Sequence, residues 1–396
     1  MIKVTYLVLL IFLTAASSAF AQNNRRTIFQ TRLEPLIEKE VREKKLVGFA
    51  VGIVKNGKVI YAKGFGTAKL GDNKLITPQS LFHTASLTKP FVATAIMQLV
   101  ERGKIDLDAP VIKYVPYFRL KDNRYTTITI RQMLSHTSGM PDVKGNEDYN
   151  WDKPEYDAGA LERYVRSLNN LSLIAAPGEK VEYSNIAYEV LGDVIAKASE
   201  MSFEDYVQKN ILKPLGMKRS TLLVRQTDAN LLVSPHIRDK ATGKTEVSKI
   251  FPYNRAHAPS STLYSNIEDM NRWAMANLNR GELNGRRILK ASSYDLLWKP
   301  VADVGEIPTF PSGMKVGLSW FIWNYNGHRM IEHRGGDVGF RSYIELAPDD
   351  SFSIVILSND AGANSSILDI VKAATDLILE DSVRNKKAAV KNNGGV

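Results

Sequence analysis

"VGFAVGIVKNGKVIYAKGFG", residues 47–66, holds two β-rich runs joined by Asn56-Gly57. That dipeptide accepts the positive φ angles of a two-residue turn, so the stretch predicts an antiparallel hairpin. Before it, "IFQTRLEPLIEKEVREKK" (28–45) carries Ile28, Leu33, Leu36, Ile37 and Val41 at the spacing of an amphipathic helix. The far end mirrors this order. "HRMIEHRGG", "FRSYIELAP" and "SFSIVILSN" read as strands, the last two joined through Asp349 and Asp350, and a helix follows at about 366–380. A helix and two strands at the front, with three strands and a helix at the back, predict one antiparallel sheet built from both chain ends and flanked by terminal helices. The expected fold class is therefore α/β (α+β), with a sheet region at about 28–80 and 255–380 and a mainly helical insertion at about 81–254. In that insertion "TIRQMLSH" opens with Thr129 and Gln132 at capping-box spacing, and "NIAYEVLGDVIAKAS" places Ile186, Val190, Leu191, Val194 and Ile195 on one face.

With 396 residues, 44% of them hydrophobic, the chain can bury an ordinary core. Residues 1–21 have Lys3, an apolar run and Ala19-Phe20-Ala21, which reads as a secretory signal peptide cut before Gln22. The apolar run is shorter than a spanning helix needs, so the expectation is an exported protein, periplasmic or secreted, with no membrane span after cleavage. The chain has no cysteine, which excludes disulfides and thiolate metal sites. Loss of the signal would remove one lysine and no acid, taking the formal charge from +10 to +9. Those charges are scattered without a basic helix or interleaved aromatics, so no nucleic-acid partner is expected. Residues 22–382 form one expected domain, and the polar, basic stretch 383–396 is expected to be disordered.

The chemistry is concentrated at "HTASLTKPFVATAIMQLVERG", residues 83–103. Ser86 and Lys89 stand one turn apart on one face of a predicted helix, with the serine near its positive end. Pro90 removes an early backbone hydrogen bond, which predicts a tight or distorted first turn. A free lysine titrates near ~10.4 and cannot take a serine's proton at neutral pH unless its surroundings lower that value. On this motif alone, a capping serine beside a solvated lysine is an equally good reading. Ser312-Gly313-Met314-Lys315 repeats the pattern in a Pro/Gly-rich stretch with no helix to hold it. Tyr183-Ser184-Asn185 is a second element, and it too has a double, Tyr264-Ser265-Asn266. The third is His333-Arg334-Gly335-Gly336, on a predicted strand whose glycines let a ligand lie close to the backbone. "HRMIEH" (328–333) has the wrong spacing and the wrong element for a zinc protease helix, so no metal site is expected. "KVGLSWFIW" (315–323) reads as a core strand, and His136 reads as structural.

Taken in order, these three elements resemble the serine β-lactamase and penicillin-binding protein superfamily, in its class C-like branch. The resemblance runs from about residue 28 to 380 and extends to "VERGKIDLDAPVIKYVP", "TIRQMLSHTSGMPD", "PGEKVEYSNIAYEVLGDVI" and "YSNIEDMNRWA". It implies an acyl-enzyme at Ser86, general-base work shared by Lys89 and Tyr183, and an Asn185 amide facing substrate and lysine. It also implies an oxyanion hole from the N–H groups of Ser86 and Gly336, and a helix start without catalytic role at 264–266. Through that mechanism a positive charge near Tyr183 is expected to lower the phenol's pKa. Where many relatives carry Lys-Thr/Ser-Gly, this chain has His333-Arg334-Gly335, and a partly charged His333 is the expected anchor for a substrate carboxylate. The implied function is a serine hydrolase on an ester, amide or D-amino-acid peptide, with a D-Ala-D-Ala carboxypeptidase or β-lactamase as alternatives. A binding or sensor module that acylates without turnover is the alternative of another class. No cofactor is implied; the expected partner is a small-molecule or peptide substrate, cell-wall fragments included.

Overall fold

A computed structural model describes residues 28–143, 149–239 and 241–393; the expected signal peptide lies outside these residues. The predicted N-terminal helix forms as a π turn, Phe29–Leu33, running into α1, Glu34–Glu43. Strands β1, Gly48–Lys55, and β2, Lys58–Gly66, then make the hairpin, with Asn56 and Gly57 at φ 49° and 70°. Both central residues are left-handed, as a primed turn requires.

The helical region supplies α2, Lys89–Glu101, and α3, Asn185–Ser199, and Thr129 closes its capping box with Gln132. From 255 to 298 the chain is mainly helical, with only the two-residue strands Tyr264–Ser265, Glu282–Leu283 and Arg286–Arg287 outside the main sheet, and α4, Ile267–Leu278, lies directly on that sheet. A Cβ at Gly52 of β1 would come within 2.7 Å of Ile267 and 2.5 Å of Asn271, so glycine there sets how closely α4 packs. The chain then returns through β3, Phe321–Tyr325, β4, His328–Asp337, β5, Phe340–Ala347, and β6, Phe352–Ser358. The last helix, α5, runs from Asn364 to Asn393. Helix was expected only to about 380, with disorder from 383. The backbone instead stays helical because "VRNKKAAVKNN" contains no glycine or proline before Gly394.

The sheet has eight strands in the order β2-β1-β6-β5-β4-β3, followed by the two-residue strands Lys315–Val316 and Ala302–Asp303. Both ends of the chain meet inside the sheet, at its second and third strands, where Val51 of β1 pairs with Ile356 of β6. Alternate residues serve different layers. Phe49, Val51 and Ile53 of β1, with Ile354 and Ile356 of β6, pack against the terminal helices, while Ala50, Val355 and Leu357 face the helical region. Covered on both sides, the central strands read as nearly unbroken apolar runs.

One feature of register places the site. β3 pairs only with residues 328–332 of β4, whereas β5 pairs with residues 331–337. Residues 333–337 of β4 therefore present a free edge beside the start of α2.

Candidate active site

The chain reaches α2 through a 3-10 turn, Ala85–Thr88, and Pro90 sits in the first turn of the helix proper. The tight first turn expected from Pro90 is present. Ala85 adopts φ 50°, a left-handed conformation that a non-glycine residue holds only under constraint. This bend leaves Ser86 the one partly exposed residue between Leu81 and Pro90, with buried neighbours on either side.

Lys89 is fully buried, and its ammonium donates to Ser86 Oγ at 2.9 Å, Asn185 Oδ1 at 2.6 Å and the Ser260 carbonyl at 2.8 Å. Burial pushes its pKa down to about 8, against the opposing fields of Glu189, Asp142 and Asp337. The lowering that the sequence could only require is thus supplied by the fold. Tyr183 is half-buried, its hydroxyl engages Ser86, and its ring lies 5.1 Å from Lys89 Nζ. Its pKa moves opposite to expectation: burial drives the phenol well above its ordinary value, and the hydrogen bond with Ser86 offsets this only in part. Tyr183 is therefore a phenol near neutrality, and the group nearer to accepting a proton is Lys89.

Asn185 is the first residue of α3, and Asp142 fixes its orientation by accepting from both its backbone N–H at 2.8 Å and Nδ2 at 2.9 Å. With the amide nitrogen so held, Oδ1 must face the lysine. Beneath Tyr183 lies His136, stacked at 4.2 Å. Its Nδ1 accepts from the Ser184 N–H at 3.2 Å, and burial holds the ring neutral. His136 thus supports the tyrosine through packing.

On the other side, Gly335 presses against the serine turn. A Cβ there would stand 2.2 Å from Ser342 Oγ, 2.5 Å from the Thr84 carbonyl and 3.1 Å from Ser86 N, so only glycine lets β4 approach. Ser342 Oγ donates to the Thr84 carbonyl at 2.6 Å and pins β5 to the same turn. Gly336 is exposed on the free edge next to it.

His333 corrects a further expectation. Its Nδ1–H donates to the Arg334 carbonyl at 2.8 Å, and burial beside Lys89 and Arg334 pushes its pKa down to about 3. A neutral imidazole cannot hold a carboxylate by charge. The doubles also separate. Ser312 is exposed and bonds Glu306 at 2.9 Å, while buried Asn266 caps α4 by accepting from the Asp269 N–H at 2.8 Å. His328 bonds Asp350 at 2.7 Å, at the opposite end of β4 from Gly335 and Gly336.

Several contributors had no signal of their own in the sequence. Asp142 lies within the quoted "SGMPD", but its bonds to Asn185 follow from tertiary packing. The Ser260 carbonyl and the left-handed Ala85 are backbone features, and Glu189, paired with His257 at 3.3 Å, looks like any polar position on a helix.

The beta-lactamase family model matches residues 33–374. Protein flp of Staphylococcus aureus (strain MW2) is 31% identical over 333 residues, covering 83% of this chain and 63% of its own, so the chain spans less than two thirds of that relative's length. The octameric penicillin-binding protein homologue from Pyrococcus abyssi superposes with a TM-score of 0.76 at 29% identity, over 87% of this chain and 76% of that one. The fold alone is shared with EstCE1, described as a hydrolase with promiscuous acyltransferase activity, at a TM-score of 0.74 and 22% identity over 88% and 98% of the two chains. With a family match over most of its length, the chain belongs to the beta-lactamase family.

Proposed function

We propose that the protein is a serine hydrolase that forms an acyl-enzyme at Ser86 on esters or amides, including D-amino-acid peptides. The observation that carries this is a partly exposed Ser86 Oγ, 2.9 Å from the nitrogen of a buried lysine whose pKa is about 8. Neutral Lys89 takes the proton as Oγ bonds to the acyl carbon. The carbonyl oxygen gains charge against the N–H groups of Ser86 and Gly336, which serve as the oxyanion hole. Tyr183, kept protonated by burial, gives its proton to the leaving group and regains one from Lys89. Water then attacks the acyl ester, its proton leaves by the same groups, and Oγ is released with the free acid as product.

Neutral His333 suits an uncharged acyl group at the edge strand, which favours an esterase or peptidase over a β-lactamase of the class C kind. The leader-like residues 1–21 support a mature protein acting outside the cytoplasm; no helix among the described residues is long and apolar enough to cross a membrane. The test is release of nitrophenol from a nitrophenyl ester. Release beyond one equivalent per protein, abolished in Ser86→Ala, fits the hydrolase. A burst of one equivalent that leaves Ser86 blocked would show an acylated sensor instead.

A further inference from the structure

Arg334 is the member of His333-Arg334-Gly335-Gly336 whose side chain leaves the site. Met330 and Tyr343 pack with the terminal helices, so Glu332 and Arg334, at the next alternate positions of β4, share that far face of the sheet. A buried acid roots the arginine there. Its Nε donates to Glu332 at 2.6 Å, and the Tyr343 hydroxyl donates to the other Glu332 oxygen. Glu332 is wholly buried, and a carboxylate in that setting keeps its cation because release would leave the charge unpaired away from water. The guanidinium is thus fixed at its base, and its far end reaches past the unpaired edge of β4.

What it reaches is a loop. Residues 305–309 are exposed throughout, and the segment closes at its base where the Val304 N–H donates to the Met314 carbonyl at 3.0 Å. Inside it, the Phe310 N–H donates to the Ile307 carbonyl at 2.9 Å and Ser312 Oγ to Glu306 at 2.9 Å. Among the described residues, the only hydrogen bond from 305–313 to the rest of the molecule comes from Arg334, whose Nη1 donates to the Thr309 carbonyl at 2.8 Å. Phe310, half-buried, carries the contact inward. The guanidinium lies 4.4 Å from its ring centre, and Phe321 stacks on the same ring at 5.7 Å and 25°. Phe321 in turn stands 6.4 Å from His136 at 13°, and His136 is the ring beneath Tyr183. A run of stacked rings therefore connects Arg334 to the Tyr183 phenol. Tyr183 and Phe310 also pack on one small cluster, Met314, Val316 and Phe321, which is separate from the two large cores. A satellite cluster of three buried residues depends on the loop that covers it.

We propose that Arg334 is a positioning residue for Tyr183: rooted on Glu332, it latches residues 305–313 over the satellite cluster, and the latched Phe310 completes the wall that seats the phenol. This rests on the acyl-enzyme reading above, in which Tyr183 protonates the leaving group. Proton transfer needs a donor held within hydrogen-bond reach, and a displacement of about 1 Å can cost about 10²-fold in rate without unfolding anything. Arginine suits the latch because one planar group stacks on an aromatic face while its edges donate in fixed directions, which a lysine cannot do.

The test compares a nitrophenyl ester with the methyl ester of the same acid. Both give one acyl-enzyme, so kcat/KM isolates the acylation step in which their leaving groups differ. Nitrophenolate departs with little help from an acid, whereas methoxide must be protonated, so the methyl ester reports more fully on Tyr183. Arg334→Lys keeps a positive charge for Glu332 and removes the planar fork. Phe310→Ala leaves the Arg334–Glu332 pair intact and removes the stack. Each should lose about tenfold more kcat/KM on the methyl ester than on the nitrophenyl ester. In a Tyr183→Phe background neither should deepen the methyl-ester loss, because groups that act as a unit are not additive. The Phe310 N–H, bonded within the loop, should exchange with solvent about tenfold faster in Arg334→Lys, with β5 and β6 protected as in wild type. Equal losses on the two esters, no loss on either, losses that add to that of Tyr183→Phe, or unchanged exchange at Phe310 would overturn the proposal. A wild type inert towards both esters would sink the hydrolase reading instead, and the exchange comparison would then decide the latch alone.

Discussion

The rate of Ser86 acylation should rise with pH and level off above about 8, because Lys89 must be neutral to accept the proton. A free lysine at 10.5 would leave the neutral amine about 4.8 kcal/mol uphill at pH 7, each pH unit being about 1.36 kcal/mol. At about 8 the same step costs about 1.4 kcal/mol, which leaves nearly one lysine in ten ready to act. Burial thus contributes a factor of roughly 300 at neutral pH. Glu189 is the first of the acids opposing this shift, and it lies buried on α3 against His257 rather than in the substrate's path. Glu189→Gln keeps the shape, removes the charge and should move the midpoint down by roughly one unit, raising the rate at pH 7 several-fold. The assay is fluorophosphonate labelling under pseudo-first-order conditions from pH 5.5 to 9.5, with circular dichroism to confirm that both proteins stay folded. Between pH 7 and 9 the wild-type rate should climb about tenfold. A flat wild-type profile, a midpoint near that of a free lysine, or a Glu189→Gln midpoint shifted upward would refute the reasoning.

Other expectations follow from the same geometry. Tyr183→Phe should lower ester turnover by about 10²- to 10⁴-fold with little change in thermal midpoint, since it deletes one hydroxyl and no packing; an unchanged kcat would remove the phenol from the mechanism. Ser312→Ala should match wild type in labelling, because its hydroxyl faces solvent beside Glu306. Gly335→Ala should abolish labelling and cost about 1–3 kcal/mol of stability in a denaturant titration, as its Cβ would overlap the Thr84 carbonyl and Ser342 Oγ. Glu345, buried opposite Glu332 on β4, has its pKa raised from 4.5 to about 8 by burial and then by the charge of Glu332. It holds its proton more tightly when folded, so the stability it contributes is full below pH 4.5 and is lost as pH rises to about 8. Glu345→Gln should flatten that decline in thermal midpoint, and a decline identical to wild type would show that other groups cause it.

The parts of this molecule legible in the sequence are those with local signatures. Asn56-Gly57, the apolar β-rich runs of β1 and β6 and the Thr129–Gln132 cap each act within a few residues, and each forms where expected. The strand at 302–303 is too short to impose a period and was not foreseen, and the single strand expected over 315–323 is split into Lys315–Val316 and one that starts at Phe321. In the site, Ser86 and Lys89 could be paired from helical spacing, and the resemblance supplied Tyr183 and Asn185. The charge states could not be read this way. They depend on how much water the fold removes from Lys89, Tyr183 and His333, and the same burial moves lysine and histidine down and the phenol up.

The pairing of Val51 with Ile356 also governs how the molecule comes into being. These partners lie 305 residues apart, so during synthesis at about 5–20 residues per second the first hairpin emerges roughly 15–60 s before its neighbour strand exists. Throughout that interval β1 has only β2 beside it, with the apolar side chains of both its faces uncovered. A two-stranded ribbon is at best marginally stable in water, so the nascent chain must carry an aggregation-prone edge until the last strand arrives. The helical region, held mainly by contacts within its own segment, can condense meanwhile. Closing the sheet is then a late, single event that completes the fold and brings Gly335 against Ser86 in the same step.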